Sequence, residues 1–278
     1  MKHFILLIVI AFGTLQVQAQ PQAIQVDVSG EGSPVIFLPG FVSPGSVFDE
    51  TAAGIEGTYE KYFISYAGFN GLAPIDTPWY SQIRESVVQY IVKQDLEEVV
   101  LIGHSMGGML AADVAAELPD RMHKVVFVDA LPCMREVMMP GVSAEQISYS
   151  NPYNDRMLQM DSATFSQTAR QMAMGMTEDT EKAQEVISWM LEADRKTYVY
   201  GYTDLLKLDL RERLSQIDVS ALVIGAPSFG AQVVRENMEK QYANLSDKQI
   251  KIAPGGRHFV MFDELEWLTD QINGFLAE

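Results

Sequence analysis

The chain has 278 residues, and 37 acidic against 20 basic side chains give it a formal net charge of −17 at pH 7. So acidic a surface argues against nucleic acids and anionic membranes as partners. The single cysteine, Cys133, excludes an internal disulfide and a zinc site built from several thiolates. With 47% hydrophobic residues, the chain can be stabilised by an apolar core alone.

The first 19 residues have the composition of a secretory signal peptide. Lys2 precedes an apolar run at 4–12, and Val17 and Ala19 place small residues before the predicted cleavage point. A run of this length is too short to span a bilayer and is typical of a cleaved signal. We therefore expect export to the periplasm or the medium, with no membrane span after cleavage. A buried N-terminal strand or helix is the alternative.

Short apolar runs then alternate with helical patterns. In chain order, the sequence predicts an edge strand at 24–28, strands at 35–38 and 62–66, a helix at 79–94, a strand at 99–102, a helix at 106–118 and a strand at 125–128. Strands and helices that alternate in this way form βαβ units. We therefore predict an α/β fold whose central sheet is mostly parallel, with helices on both faces.

The alternation of predicted strands and helices stops after Val128. Between residues 132 and 220, apolar residues recur at helical spacing and no buried strand is evident. Strand patterns return at 221–225 and 249–253, and a helix at 265–276 closes the chain. The predicted organisation is a signal peptide at 1–19, a core formed by 20–131 and 221–278, and a helical insertion at 132–220.

Residues 103–107, Gly-His-Ser-Met-Gly, match the pattern G-x-S-x-G between a predicted strand and a predicted helix. A serine at such a bend is held in a strained conformation that exposes its hydroxyl at the sheet edge. The flanking glycines let the strand and helix backbones pass closely. This context predicts Ser105 as a nucleophile, whereas an ordinary strand-to-helix turn with small residues is the structural alternative.

A serine hydroxyl needs a base to take its proton, and histidine is the usual base near neutral pH. The chain has four histidines. His3 lies in the signal segment, and His123 precedes a strand at a predicted surface position. His104 adjoins the serine, but we expect its side chain to point away. His258 follows the last predicted strand in a Gly-Gly-Arg loop that can carry it over the sheet edge, which predicts His258 as the base.

Three segments together resemble the α/β-hydrolase fold family: residues 37–41, 103–108 and 256–259. The resemblance implies a serine hydrolase whose helical insertion is a cap over the active site. It also implies that the backbone N–H groups of Phe41 and Met106 form the oxyanion hole. Many members have His-Gly where this chain has Pro39-Gly40, but the donor is a backbone group and does not depend on that side chain.

The acid that would orient His258 departs from the commonest family pattern. It usually follows the strand before the histidine strand, but residues 226–231 contain no carboxylate. Some members take the acid from the strand after the nucleophile helix, and Asp129 follows that strand. We therefore predict Asp129 as the acid of a triad with Ser105. There are two alternatives to Asp129: an acid from the insertion, such as Asp204, or a site that has no acid.

Nine of the fifteen methionines lie in the insertion. Methionine fills irregular space and repacks easily, so these residues indicate either an adaptable pocket for an apolar acyl group or ordinary packing of cap helices. No phosphate-binding glycine loop or dinucleotide fingerprint is evident, and no metal or other cofactor is expected.

The sequence as a whole predicts an exported serine hydrolase. Its expected substrate is a small molecule with a small to medium carboxylic ester or related acyl bond, cleaved through an acyl-enzyme. The same scaffold can also support a lactonase, an amidase or a haloperoxidase-like activity. A non-enzymatic ligand-binding protein of the same fold is the alternative from a different class.

Overall fold

The computed structural model describes residues 22–278, so the predicted signal peptide lies outside the described residues. Seven strands form one sheet in the order β1-β3-β2-β4-β5-β6-β7. The strands are β1 (Ile24–Gly30), β2 (Ser33–Leu38), β3 (Tyr59–Tyr66), β4 (Val99–His104), β5 (Met122–Val128), β6 (Ala221–Gly225) and β7 (Lys248–Ile252). β1 pairs antiparallel with β3, and the other pairings are parallel. The predicted mostly parallel α/β sheet is confirmed.

Eleven helices accompany the sheet in the described part of the chain. They are α1 (Asp49–Gly54), α2 (Trp79–Lys93), α3 (Met106–Glu117), α4 (Met134–Met138), α5 (Pro152–Gln159), α6 (Ser162–Met176), α7 (Thr180–Glu192), α8 (Arg195–Lys207), α9 (Ala231–Gln241), α10 (Val260–Asp263) and α11 (Leu265–Ala277). α2 packs against α3, and α1 packs against α11. None of the helices within residues 22–278 is long and apolar enough to cross a membrane.

The central strand and the helix after it form the most buried part of the molecule. All six residues of β4 are buried, as expected for a continuous apolar run covered on both faces of a parallel sheet. In α3, the residues from Met106 to Ala116 are all buried. Many of them are alanine or glycine, whose small side chains let the helix lie close to the sheet. This pair of elements therefore supplies a rigid base for the turn between them.

The parallel strands end at one edge of the sheet. In the parallel pairings, Leu38 is opposite Gly103, His104 is opposite Val128, and Ile252 is opposite Gly225. Side chains that follow these strand ends therefore meet at the same edge, which is where ligands bind in open α/β sheets. Ser105, Asp129 and His258 each follow such an end.

Helices α4 to α8 lie between β5 and β6, and no strand occurs at 132–220 in the structure as described. Polar residues fix the starts of the longer helices: the side chains of Asn151, Asp161, Asp179 and Asp194 accept hydrogen bonds from the first-turn N–H groups of α5, α6, α7 and α8. Such caps satisfy N–H groups that have no partner within the helix. The short helices α1 and α10 were not predicted, because one or two turns give too few residues for a periodic pattern.

Candidate active site

The turn between β4 and α3 holds Ser105 at φ 53° and ψ −120°. Its N–H donates to the Val128 carbonyl at 2.9 Å, which fixes the turn against β5. A Cβ at Gly107 would lie 1.9 Å from the Leu38 carbonyl oxygen, and a Cβ at Gly103 would lie 2.2 Å from the Gly107 carbonyl oxygen. The two motif glycines are therefore required by the close passage of the backbones, as the sequence pattern suggests.

Asp129 lies at the end of β5 and contacts His258. The His258 Nδ1 atom is 2.6 Å from Asp129 Oδ2, and the two side chains are 29% and 19% exposed. The other carboxylate oxygen accepts the N–H of Ala226 at 2.9 Å. The carboxylate from β5 thus reaches the end of β6, the position at which the sequence has no acid of its own.

The loop that carries His258 is bound to the cap. The Phe259 N–H donates to the carbonyl of Met176, the last residue of α6, at 2.9 Å. On the other side of the histidine, the Arg257 N–H donates to Asp263 Oδ2 at 2.7 Å. The position of the imidazole therefore depends on cap residues as well as on the strand that precedes the loop.

Ser105, His258, Phe41 and Met106 all line one pocket. The hydrogen bonds of residues 22–278 include none between the Ser105 hydroxyl and His258, and such contacts are often long in a protein without bound substrate. The Phe41 ring packs against rings from the core and from the cap, with centroid distances of 4.9–5.8 Å to Phe69, Trp79, Tyr198 and Tyr202. This aromatic packing fixes the loop after β2 beside the serine.

The pocket has a volume of about 690 Å³ and is predominantly apolar. Neither lysine nor arginine lines it. Burial raises the pKa of Tyr198 and of Tyr202 to about 12, so both phenols are neutral at physiological pH. Eight methionines contribute to the wall: Met106, Met109, Met134, Met138, Met172, Met176, Met190 and Met238. Five of these belong to the nine cap methionines identified in the sequence.

Two residues considered in the sequence lie elsewhere. Asp204 is buried and accepts the N–H groups of Trp79 and Tyr80 at 2.7 and 3.1 Å, so it caps α2 and ties the cap to the core. His123 is half-exposed and lies 3.2 Å from Glu98.

No group of three or more histidine, cysteine, aspartate or glutamate side chains suited to a metal ion occurs among residues 22–278.

His104 is a site residue whose contact was missed in the sequence. Its side chain is fully buried, and its Nε2 atom lies 2.9 Å from the main-chain oxygen of His258. Burial lowers the pKa of His104 well below its usual range, and the nearby His258 lowers that pKa further. No spacing rule indicates this contact, because the partner lies in a loop 154 residues later in the chain.

A serine on a strained strand-to-helix turn, with an Asp–His pair from the ends of β5 and β7 in the same pocket, is the arrangement of a nucleophile elbow in an α/β-hydrolase fold. The residue pattern of the alpha/beta hydrolase family matches residues 35–271, so the chain belongs to that family. The resemblance noted in the sequence is thereby confirmed.

The chain is distantly similar to several esterases and to a lactonase. The pimeloyl-[acyl-carrier protein] methyl ester esterase of Shewanella woodyi is 23% identical over 262 residues, covering 91% of this chain and 99% of that protein. An esterase from Exiguobacterium antarcticum superposes with a TM-score of 0.77 at 20% identity, covering 93% of this chain and 98% of the other. An enol-lactonase from Burkholderia xenovorans superposes with a TM-score of 0.73 at 15% identity, covering 92% of this chain and 96% of the other. Family and relatives support a hydrolase of the esterase type.

Replacing Asp129 with asparagine tests whether the Asp–His contact matters for catalysis. The asparagine amide has one acceptor oxygen for two donors, Ala226 N–H and His258 Nδ1–H, so the imidazole loses its fixed tautomer. We expect kcat to fall by up to about 10⁴-fold. The measurement is steady-state hydrolysis of a p-nitrophenyl ester, with the melting temperature as the control for folding. A variant that folds normally and keeps most of the wild-type kcat would exclude Asp129 as the acid.

Proposed function

We propose that this protein is a serine esterase in which Ser105 is the nucleophile, His258 the general base and Asp129 the acid that orients it. The observation that carries the proposal is the 2.6 Å contact between His258 Nδ1 and Asp129, next to a serine held at a positive φ. With Nδ1–H donated to the carboxylate, the other ring nitrogen is free to accept a proton. A protein that only binds ligands would not require this combination.

In the acylation step, the Ser105 hydroxyl oxygen attacks the carbonyl carbon of the ester while His258 takes the hydroxyl proton. The carbonyl oxygen becomes negatively charged and accepts hydrogen bonds from the N–H groups of Phe41 and Met106. Removing one such donor typically raises the barrier by about 3–4 kcal/mol. The intermediate collapses when the bond to the alkoxy group breaks and that group receives the proton from His258. An alcohol leaves, and the acyl group remains on the serine.

In the deacylation step, a water molecule replaces the alcohol. His258 takes a proton from the water as its oxygen attacks the acyl carbon, and the same N–H groups stabilise the second oxyanion. The bond to the Ser105 oxygen then breaks, and His258 returns the proton to the serine. Asp129 stays ionised throughout and stabilises the imidazolium that forms in each step.

The pocket supports an uncharged, apolar acyl group as the substrate's main recognition element. Ligand pockets of about 300–1,000 Å³ bury most of a small molecule, and this pocket has a volume of about 690 Å³. Its wall has neither lysine nor arginine to pair with a carboxylate or phosphate on the substrate. Apolar side chains continue to its exposed mouth, where Met138 is 56% and Phe229 81% exposed. A small to medium carboxylic ester fits this chemistry.

Ser105→Ala tests the proposed nucleophile. The variant keeps the fold, because alanine meets the same backbone strain as serine, but it has no hydroxyl to acylate. We expect ester turnover and covalent labelling by a fluorophosphonate to be lost, with an unchanged melting temperature. Ser228→Ala is the matched control, since Ser228 lines the same pocket and should remain dispensable. Substantial hydrolysis by purified Ser105→Ala would place the nucleophile elsewhere.

Met172→Glu tests whether the cap binds the acyl chain. Met172 lines the pocket and is 36% exposed, whereas Met174 on the same helix is 40% exposed and does not line it. A charge at 172 opposes burial of a long apolar chain, so we expect KM to rise more for p-nitrophenyl octanoate than for the acetate. Met174→Glu should leave the ratio of the two KM values unchanged. An equal rise in KM for both esters would show that Met172 serves only in packing.

We also infer that the chain is exported and cleaved after Ala19. The support is the sequence alone: Lys2, the apolar run at 4–12 and the small residues before the cut. Expression in a bacterial host with a secretion pathway should yield a protein outside the cytoplasm whose first residue is Gln20. Terminal sequencing of the fractionated protein checks this, and an uncleaved chain confined to the cytoplasm would contradict it.

A further inference from the structure

His104 forms a hydrogen bond with the main chain of the proposed base, and its ring also lies beside the imidazole of that residue. The residue is the last of β4 and is fully buried. Its Nε2 atom lies 2.9 Å from the carbonyl oxygen of His258, and the two imidazole centroids are 4.6 Å apart. A carbonyl oxygen only accepts hydrogen bonds, so Nε2 carries the proton and donates it. The strand that presents Ser105 is thereby bonded to the backbone of His258.

The second ring nitrogen of His104 faces the loop that follows β2. Nδ1 is buried and has no hydrogen-bond partner in the described part of the chain. A Cβ placed on Gly40 would lie only 2.9 Å from it, so the ring fills the space beneath the residue that precedes Phe41. Protonation would add a second N–H that points at Gly40 without an acceptor. The imidazole is therefore held neutral, consistent with the lowered pKa of His104.

Packing alone does not explain a histidine at this position. A buried nitrogen without a partner destabilises the folded protein, and a leucine or methionine would fill a similar space without that cost. The feature that an aliphatic side chain cannot supply is the hydrogen bond to the His258 carbonyl. Residues that reduce stability in this way are common where a site needs a fixed geometry.

We propose that His104 is a positioning residue for the esterase reaction, which holds the backbone of His258 against the nucleophile strand. The inference rests on the proposed function of Ser105 and His258. Asp129 fixes the imidazole through its side chain, and His104 fixes the main chain from which that imidazole extends. Without His104, the main chain of the loop would keep its bonds to Met176 and Asp263, and only the Asp129 contact would tie His258 directly to the sheet edge.

The expected effect follows from the sensitivity of proton transfer to distance. A displacement of about 1 Å at a reacting group can cost about 100-fold in rate. His104 is one of many residues that line the pocket, and its side chain is fully buried, so substrate binding should be affected far less. Loss of the His104 hydrogen bond should therefore lower kcat by about 100-fold while KM changes little.

Three substitutions at this position separate positioning from packing. In His104→Gln, the amide nitrogen reaches the place of Nε2 and can donate to the His258 carbonyl. In His104→Asn, a polar amide is retained but is too short to reach that oxygen. His104→Leu removes the donor and also the unpartnered nitrogen. His123→Gln, at a half-exposed histidine outside the pocket, is the matched control and should behave as wild type.

The measurements are kcat and KM for p-nitrophenyl butyrate, the rate of fluorophosphonate labelling, and the melting temperature. We expect His104→Asn and His104→Leu to lose kcat and to label slowly while they remain folded at the assay temperature, whereas His104→Gln recovers most of both rates. If the asparagine and leucine variants keep the wild-type kcat, or if the glutamine variant is as slow as the leucine variant, the proposal is wrong. If all three variants lose kcat equally and in proportion to their loss of melting temperature, His104 is a purely structural residue and the proposal is also wrong. Failure of the proposed function itself would appear separately, as activity in Ser105→Ala.

Discussion

The backbone conformation of Ser105 is the constraint on which the rest of the site depends. A residue held outside the common φ/ψ regions costs about 1–3 kcal/mol and persists only where its surroundings enforce it. Here the surroundings are the buried strand β4 and the buried helix α3, whose backbones meet so closely that no side chain fits at Gly107. Because the turn lies at the carboxyl edge of a parallel sheet, other groups reach this edge from the ends of other strands, and Asp129 follows β5 while His258 follows β7.

Features set by local pattern were predictable from the sequence. The continuous apolar run before Ser105 and the alanine-rich helix after it leave few conformations for the turn between them, and the observed φ agrees with that expectation. The proximity of Asp129 to His258 was predictable from topology, since parallel strands bring residues far apart in the chain to one edge. The empty position after β6 supported this choice, and the structure shows the Asp129 carboxylate bonded to Ala226 at that position.

Features that depend on contacts between distant segments were not predictable. The sequence left Asp204 open as an acid, and only the fold shows that its carboxylate caps α2. The contact of His104 with the His258 loop was missed for the same reason, because its partner is a main-chain oxygen that no side-chain pattern encodes. Likewise, nine cap methionines fit both a pocket and plain packing, and five of them line the pocket once the helices are in place. Sequence periodicity predicts which face of a helix is apolar, but not which residues that face contacts.

In the proposed reaction, Ser105 carries the acyl group while Phe41, Met106 and His258 act on it. The most direct measurement is a crystal structure of the protein inactivated with a p-nitrophenyl alkylphosphonate, whose tetrahedral phosphorus imitates the acylation intermediate. We expect phosphorus bonded to the Ser105 oxygen, a phosphonyl oxygen within hydrogen-bond distance of the Phe41 and Met106 N–H groups, and the alkyl chain among the cap methionines. Phosphorus on another residue, or a phosphonyl oxygen turned away from both N–H groups, would contradict it.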